Sequence, residues 1–343
     1  MGAIAFTLTG EWSSQMNRRE ILQTGLASLS ATALAPFAAF GQSKFPERPI
    51  RMIIPFSAGG VTDIVGRHWS ERMKPVLGTI YTENQGGGAG IMGASEVARA
   101  QPDGHTIMLG NTSVTVLHPM TAAKLPYDPA RDFAPIAIIA VAATALVVHS
   151  SVPAKTVKEF VDYAKANSGK LAYGSAGTGT MTHLAGEQFK QLTGLTELTH
   201  VPYKGAGPGI SDLVAGHVPV MTPNITGQIL EFHRAGKIRI IAVFAPQRLT
   251  AAPEIPTAIE LGYPNMVAQL FVGVFAPSAV PKAIIDQYAA ANHKVMEDAT
   301  FQKVLVDSGL EPVIDTPEKA KAYLAEETAR WAPVIKAINL KME

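Results

Sequence analysis

From about residue 50 onward, short apolar runs alternate with stretches in which apolar residues recur every three or four positions. Ile50-Arg51-Met52-Ile53-Ile54-Pro55 reads as a buried strand, and Ile64, Val65, Trp69, Met73 and Val76 behind it fall at helical spacing. Further short strands are predicted at Thr106 to Gly110, Leu171 to Ser175 and Ile238 to Phe244. Helical spacing covers Val157 to Ala166, Leu184 to Leu192, Ile284 to Met296 and Pro317 to Ile338, the last with Glu326, Glu327, Lys336 and Lys341 expected in solvent. Strands interleaved with helices define an α/β architecture.

Two longer apolar runs, Ile136 to Val148 and Val267 to Phe275, each lead through a Ser/Pro turn into a helix. Read as crossovers between two domains, they assign residues 42–145 plus 269–343 to domain I and 146–268 to domain II. Ahead of both lies Met16-Asn17-Arg18-Arg19, followed by an uncharged stretch from Thr24 to Gly41 that contains Gly25 and Pro36. Paired arginines before such a stretch, with Ala39-Phe40-Gly41 as a small-residue cleavage site, predict a twin-arginine export signal over residues 1–41. The apolar part is short and proline-interrupted against the roughly 20 residues a membrane-spanning helix needs.

Composition narrows the destination. The chain has no cysteine, which excludes disulfides, a lipidated cysteine and thiolate metal sites. A formal net charge of +1 without a basic stripe argues against nucleic acid as a partner. A periplasmic protein, free in that compartment after signal cleavage, is the expectation.

Chemistry concentrates in two glycine-rich turns, Pro55-Phe56-Ser57-Ala58-Gly59-Gly60-Val61-Thr62-Asp63 and Tyr173-Gly174-Ser175-Ala176-Gly177-Thr178-Gly179-Thr180-Met181-Thr182-His183. Small residues between a strand and a helix let backbone N–H groups face a ligand, and the helix N-terminus adds partial positive charge, so each turn suits a carboxylate. Tight packing is the competing reason for glycine at such turns. Enzyme motifs are missing: Tyr173 and Pro55 stand where a Gly-x-Ser-x-Gly elbow needs glycine. Gly88-Ala89-Gly90-Ile91-Met92-Gly93 matches a dinucleotide fingerprint without its acidic partner and is read as a packing or ligand-facing loop. The histidines form no His-Glu-x-x-His or His-x-His cluster, and neither a metal nor another cofactor is expected.

In one order along the mature chain, Ile53-Ile54-Pro55-Phe56-Ser57-Ala58-Gly59-Gly60, Glu83-Asn84-Gln85-Gly86-Gly87-Gly88, Pro102-Asp103-Gly104, Leu125-Pro126-Tyr127-Asp128-Pro129, Tyr173-Gly174-Ser175-Ala176-Gly177, Val201-Pro202-Tyr203-Lys204-Gly205 and Asp212-Leu213-Val214-Ala215-Gly216 occur together. The series resembles the Bug family, the periplasmic substrate-binding proteins of tripartite tricarboxylate transporters. The resemblance implies a type II periplasmic-binding-protein fold, two α/β domains joined by a two-crossover hinge around a ligand cleft. It implies a non-enzymatic monomer that captures a small organic carboxylate, whether a di- or tricarboxylate, an aromatic acid or an acidic amino acid, and delivers it to a membrane transporter. A receptor-linked sensor and an exported carboxylate-processing enzyme are the alternatives. Gly86-Gly87-Gly88 and Gln269-Leu270-Phe271 depart from the family's usual residues, which leaves ligand identity open.

In this frame the backbone of Ala58, Gly59 and Gly60 holds one carboxylate, with Phe56, Ser57 and Thr62 in the same turn. Ser175, Thr178, Gly179, Thr180 and His183 address a second polar group from the other side. Asp63 either stabilises its helix start or faces a ligand amine. Phe56, Phe271 and Asn224 shape the cleft, unless the phenylalanines are ordinary core. Asn84 and Asn111 reach the cleft or stabilise turns.

Overall fold

The computed structural model describes residues 45–342, so the expected export signal and its cleavage site lie outside the described residues. The strands are β1 (Ile50–Ile54), β2 (Ile80–Asn84), β3 (Thr106–Asn111), β4 (Phe133–Ala143), β5 (Ala145–His149), β6 (Ala172–Ser175), β7 (Thr199–Pro202), β8 (Val220–Met221), β9 (Ile238–Val243), β10 (Gln269–Pro277) and β11 (Glu311–Pro312). They build two sheets, one in the order β11-β4-β10-β3-β1-β2 and one in the order β7-β6-β8-β5-β9. Each sheet mixes parallel and antiparallel pairs, and the helices pack around them as two α/β lobes.

Burial explains the central strand. Ile50, Met52, Ile53 and Ile54 are all fully buried, so β1 is covered on both faces, as a strand flanked in parallel by β2 and β3 should be. Helix α1 (Val61–Leu77) buries Val61, Val65, Trp69, Met73 and Leu77, spaced four apart. The buried stripe departs from the expected one at its edge: Val76 is 37% exposed, and Leu77 takes the buried position. Trp69 donates from Nε1 to Asn292 Oδ1 at 2.8 Å, which ties α1 to helix α7 (Lys282–Met296).

The helices between α1 and α7 are α2 (Ile91–Ala98), α3 (Val157–Ala166), α4 (Met181–Thr193), α5 (Ala206–Ala215) and α6 (Gly227–Arg234), apart from single turns. Helix α6 packs on β9, α8 (Ala299–Asp307) follows α7, and α9 (Pro317–Ile338) ends the fold. On α9 the expectation for Glu327 fails. Its carboxylate is buried, held by Arg330 Nε and Nη2 at 2.9 and 2.7 Å and by Trp331 Nε1 at 3.1 Å. A carboxylate one turn before a buried indole is pulled inward by that N–H donor.

The chain changes sheet at a single residue. β4 ends at Ala143 and β5 begins at Ala145, so Thr144 alone carries the passage. Its N–H and Oγ1 both donate to Ala268 O, at 3.0 and 2.8 Å, while Phe244 N donates to Thr144 O at 2.8 Å. The outgoing strand and the two ends of the returning segment are therefore stitched side by side, immediately before β10 rejoins the larger sheet.

Candidate functional site

The β1–α1 and β6–α4 turns have the same construction. Gly59 and Gly179 adopt φ of +84° and +77°, a region that strains any residue with a Cβ, and Gly60 and Thr180 follow in extended conformation as N-caps. Each positive-φ glycine donates its N–H to the side chain four residues on: Gly59 N to Asp63 Oδ2 at 3.0 Å, and Gly179 N to His183 Nδ1 at 3.0 Å.

The two acceptors differ in charge. Burial pushes the Asp63 carboxyl up, but hydrogen bonds from Arg67, Gly59 N and Asn84 outweigh it and hold the group below the usual aspartate range. Arg67 pairs with it at 2.9 Å, and Asn84 Nδ2 donates to both Asp63 Oδ1 and Phe56 O at 3.0 Å. His183 is neutral: burial, with Lys190 nearby, lowers it to about 4. Because Nδ1 accepts, the proton sits on Nε2, 4.0 Å from Glu187 Oε1. The ring stacks on His200 with centroids 3.8 Å apart, and His200 Nε2 lies 2.7 Å from Ser175 Oγ.

Between the turns lies a cavity of about 40 Å³. Its walls come from Phe56, Ser57, Gly60, Val61 and Thr62 of the first turn, Asn111 and Ser113 after β3, and Ala176, Thr180, Met181 and Thr182 of the second turn. Ala206, Asn224 and Leu270 complete it, and none of these residues is charged. The start of α1 has no side-chain cap, and the N–H groups of Val61, Thr62 and Asp63 have no acceptor among the described residues. In α4, by contrast, Met181 N donates to Ser113 Oγ at 3.2 Å and His183 N to Thr180 Oγ1 at 3.4 Å. Ser57 Oγ and Asn224 Nδ2 are buried without a hydrogen-bond partner among the described residues. Larger surface hollows occur, one of about 780 Å³ beside Arg51, Glu96 and Arg99, but no pair of helix starts converges on it.

Phe56, Ser57, Gly60, Thr62, Asn111, Thr180 and Asn224 are thus brought together, as expected of a cleft. The remaining candidates lie elsewhere. Ala58 and Gly59 are exposed and do not line the cavity, and the Gly59 N–H is occupied by Asp63. Asp63 and Asn84 face each other and Arg67, the geometry of the turn-stabilising alternative. Ser175 is fully buried on His200 and Gly177, and Gly179 and His183 bond to each other; Thr178 is half-buried outside the lining. Phe271 is fully buried and edge-on to Tyr323, so it is core. Gly90 and Gly93 of the fingerprint-like loop approach Phe56, Val114 and Pro55 too closely to admit a Cβ, the packing alternative for that motif.

Ser113 and Ala206 escaped sequence reading, while Val61, Ala176, Met181 and Thr182 were read only as part of the two turns and Leu270 only as a departure from the family's usual residues. Ser113 opens a π-helical turn, Ser113–Leu117, an arrangement frequent at functional sites but without a sequence period of its own.

Two α/β lobes around a charge-free cleft faced by paired helix starts are the architecture of a periplasmic binding protein. The model of the tripartite tricarboxylate transporter family receptor matches residues 65–340, and the chain belongs to that family, with the Bug proteins. It is 32% identical over 324 residues to a UPF0065 protein in the tcbD-tcbE intergenic region of Pseudomonas sp. strain P51, covering 94% of this chain and 95% of that one. The periplasmic binding protein BugD superposes with a TM-score of 0.82 at 31% identity, over 87% of this chain and all of that one. Rpa4515 of R. palustris, solved with adipate, gives 0.83 at 30% identity, over 87% and 99%.

Proposed function

We propose that this chain is a periplasmic capture protein that closes on a small organic carboxylate and delivers it, unaltered, to a tripartite tricarboxylate-type membrane transporter. The observation that carries the reading is the uncapped start of α1. Three backbone N–H groups with no acceptor among the described residues sit at a helix N-terminus, and two of them, of Val61 and Thr62, belong to residues of a cavity wall that has no competing charge. Each charge-assisted hydrogen bond contributes roughly 1.5–3 kcal/mol, so three or four are enough for micromolar binding, about 8 kcal/mol. The adipate held by Rpa4515 belongs to the same chemical class.

Ligand contacts are assigned to Phe56, Ser57, Gly60, Thr62, Asn111, Thr180 and Asn224, joined by Ser113, Met181 and Thr182. The cavity of about 40 Å³ holds about one water, against the several hundred Å³ of a usual organic-ligand site, so the lobes must part to admit cargo. Parting is assigned to the stitched passages at Thr144 and 244–268, which makes 42–145 plus 269–343 one moving body and 146–268 the other. Export by the twin-arginine signal over residues 1–41 and action as a monomer complete the proposal.

Thermal unfolding of the chain from Gln42 onward, against di- and tricarboxylates, aromatic acids, acidic amino acids and the amide of each, tests it. A ligand at 100 times its dissociation constant adds about 2.7 kcal/mol, a clear rise in Tm. The expected result is a shift for one class of acids and none for the amides, with the acid recovered unchanged after long incubation. A cooperative, unshifted transition with every acid overturns the reading.

A further inference from the structure

A chain of buried hydrogen bonds runs across the cleft from one helix start to the other. Asn111 Nδ2 donates to Thr62 Oγ1 of α1 at 3.0 Å, Ser113 N donates to Asn111 Oδ1 at 2.9 Å, and Met181 N, the first amide of α4, donates to Ser113 Oγ at 3.2 Å. Thr62, Asn111, Ser113 and Met181 are each at most 3% exposed, and all four line the cavity. The last of these bonds is the one that passes between lobes: Ser113 follows β3 of the larger sheet, and Met181 follows β6 of the smaller.

We propose that Ser113 is a latch: its hydroxyl, aimed by Asn111, holds the two lobes closed by accepting the first N–H of α4, independently of cargo. The physical reason lies in what each state offers that N–H. In the closed state it is buried, and Ser113 Oγ is its acceptor. Once the lobes part, water satisfies it. Removing the hydroxyl therefore leaves the open state unaffected and orphans a buried donor in the closed state alone, a penalty that corresponds to about 5- to 150-fold in the closed-to-open ratio. Asn111 is the positioning residue, since one amide group holds both the Ser113 backbone and the Thr62 side chain. The latched state has room for about one water, so cargo must first open it, and the latch lowers apparent affinity in proportion to the fraction it holds shut.

The latch rests on the capture function only in requiring that the lobes part. Its test needs no ligand. The chain has no cysteine, so Glu71→Cys on α1 and Lys155→Cys before α3, both exposed positions, accept spin labels without interference. Distance distributions from pulsed electron resonance are then compared, ligand-free, for the labelled chain, for Ser113→Ala and for Thr193→Ala. Thr193 Oγ1 donates to Phe189 O at 2.7 Å inside α4, so its loss removes a buried hydroxyl without touching the cleft. The expected result is a short-distance population that S113A depletes about 5- to 150-fold relative to the long one, while T193A leaves the ratio unchanged. Equal ratios in the parent and S113A, or equal depletion by T193A, overturn the latch. Failure of carboxylate capture is read separately, as an absent Tm shift in the parent chain.

Discussion

Asp63 and His183 occupy equivalent positions and accept equivalent N–H groups, yet one is charged and the other neutral. The charged member exists because Arg67 and Asn84 surround it, so the turn it closes is locally balanced. Asp63→Asn retains an oxygen for Gly59 N–H but removes the charge that Arg67 pairs with. The expected outcome is a loss of about 1–3 kcal/mol in unfolding free energy, with carboxylate binding weakened through the disordered turn. Unchanged stability, combined with loss of amino-acid binding only, is the result a ligand-amine role requires and would reject the turn role. Sequence made the glycines legible, because a βα turn facing an anion needs positive φ. It did not make the acceptors legible, since an i to i+4 capture by a side chain depends on burial and on Asn84, 21 residues away.

Glu327 extends this to a whole element. α9 was readable as a helix from its spacing, but its polar face is not uniformly wet: Glu327 lies under Arg330, whose guanidinium also sits 4.6 Å from the Trp331 ring centroid. Loss of that carboxylate orphans the buried indole N–H and the inner face of Arg330. Glu327→Ala should therefore lower unfolding free energy by about 1–3 kcal/mol in chemical denaturation, and Glu327→Gln, which keeps an acceptor for Trp331, by less. Equal midpoints for both variants and the parent would place Glu327 in solvent after all. Long strands and helices were legible because period and length suffice to mark them. The two-residue strand β8 and the π-helical turn at Ser113 carry too few residues to show a period, and with that turn went the cleft's interlobe contact.

At the scale of the molecule, the two long apolar runs marked the strands on which the chain leaves the larger sheet and rejoins it, whereas the width of the cleft was not legible. A closed cleft depends on contacts between residues far apart in the chain, as Met181 and Ser113 or Gly179 and the neighbouring Met342 illustrate. Packing also buries imidazoles in both lobes. His118 in the larger lobe is pushed by burial to about 4, and in the smaller lobe His183 lies at about 4 and His200 at about 3, burial being the main cause for each. The groups that face this stacked pair are Ser175, Tyr173, Glu187 and Lys190. All three values are depressed below the ordinary 6.5. An unfolded chain therefore takes up protons that the folded chain refuses as pH falls below about 6.5, so stability is full above that pH and declines steadily toward pH 4. At pH 5 each fully buried imidazole contributes a loss on the order of 2 kcal/mol, and the partly exposed His200 less, because solvent screens it. Between pH 6.5 and 5 ordinary carboxylates remain ionised, so the slope in that window reports the histidines. Melting curves at constant ionic strength should show Tm falling across it. His183→Asn, which keeps an acceptor where Nδ1 stood for the Gly179 N–H but cannot titrate, should flatten the slope by about one proton while preserving the turn. A Tm independent of pH from 6.5 to 5, or a slope unchanged in H183N, would mean that His183 is already protonated and cannot be the acceptor that closes the second turn.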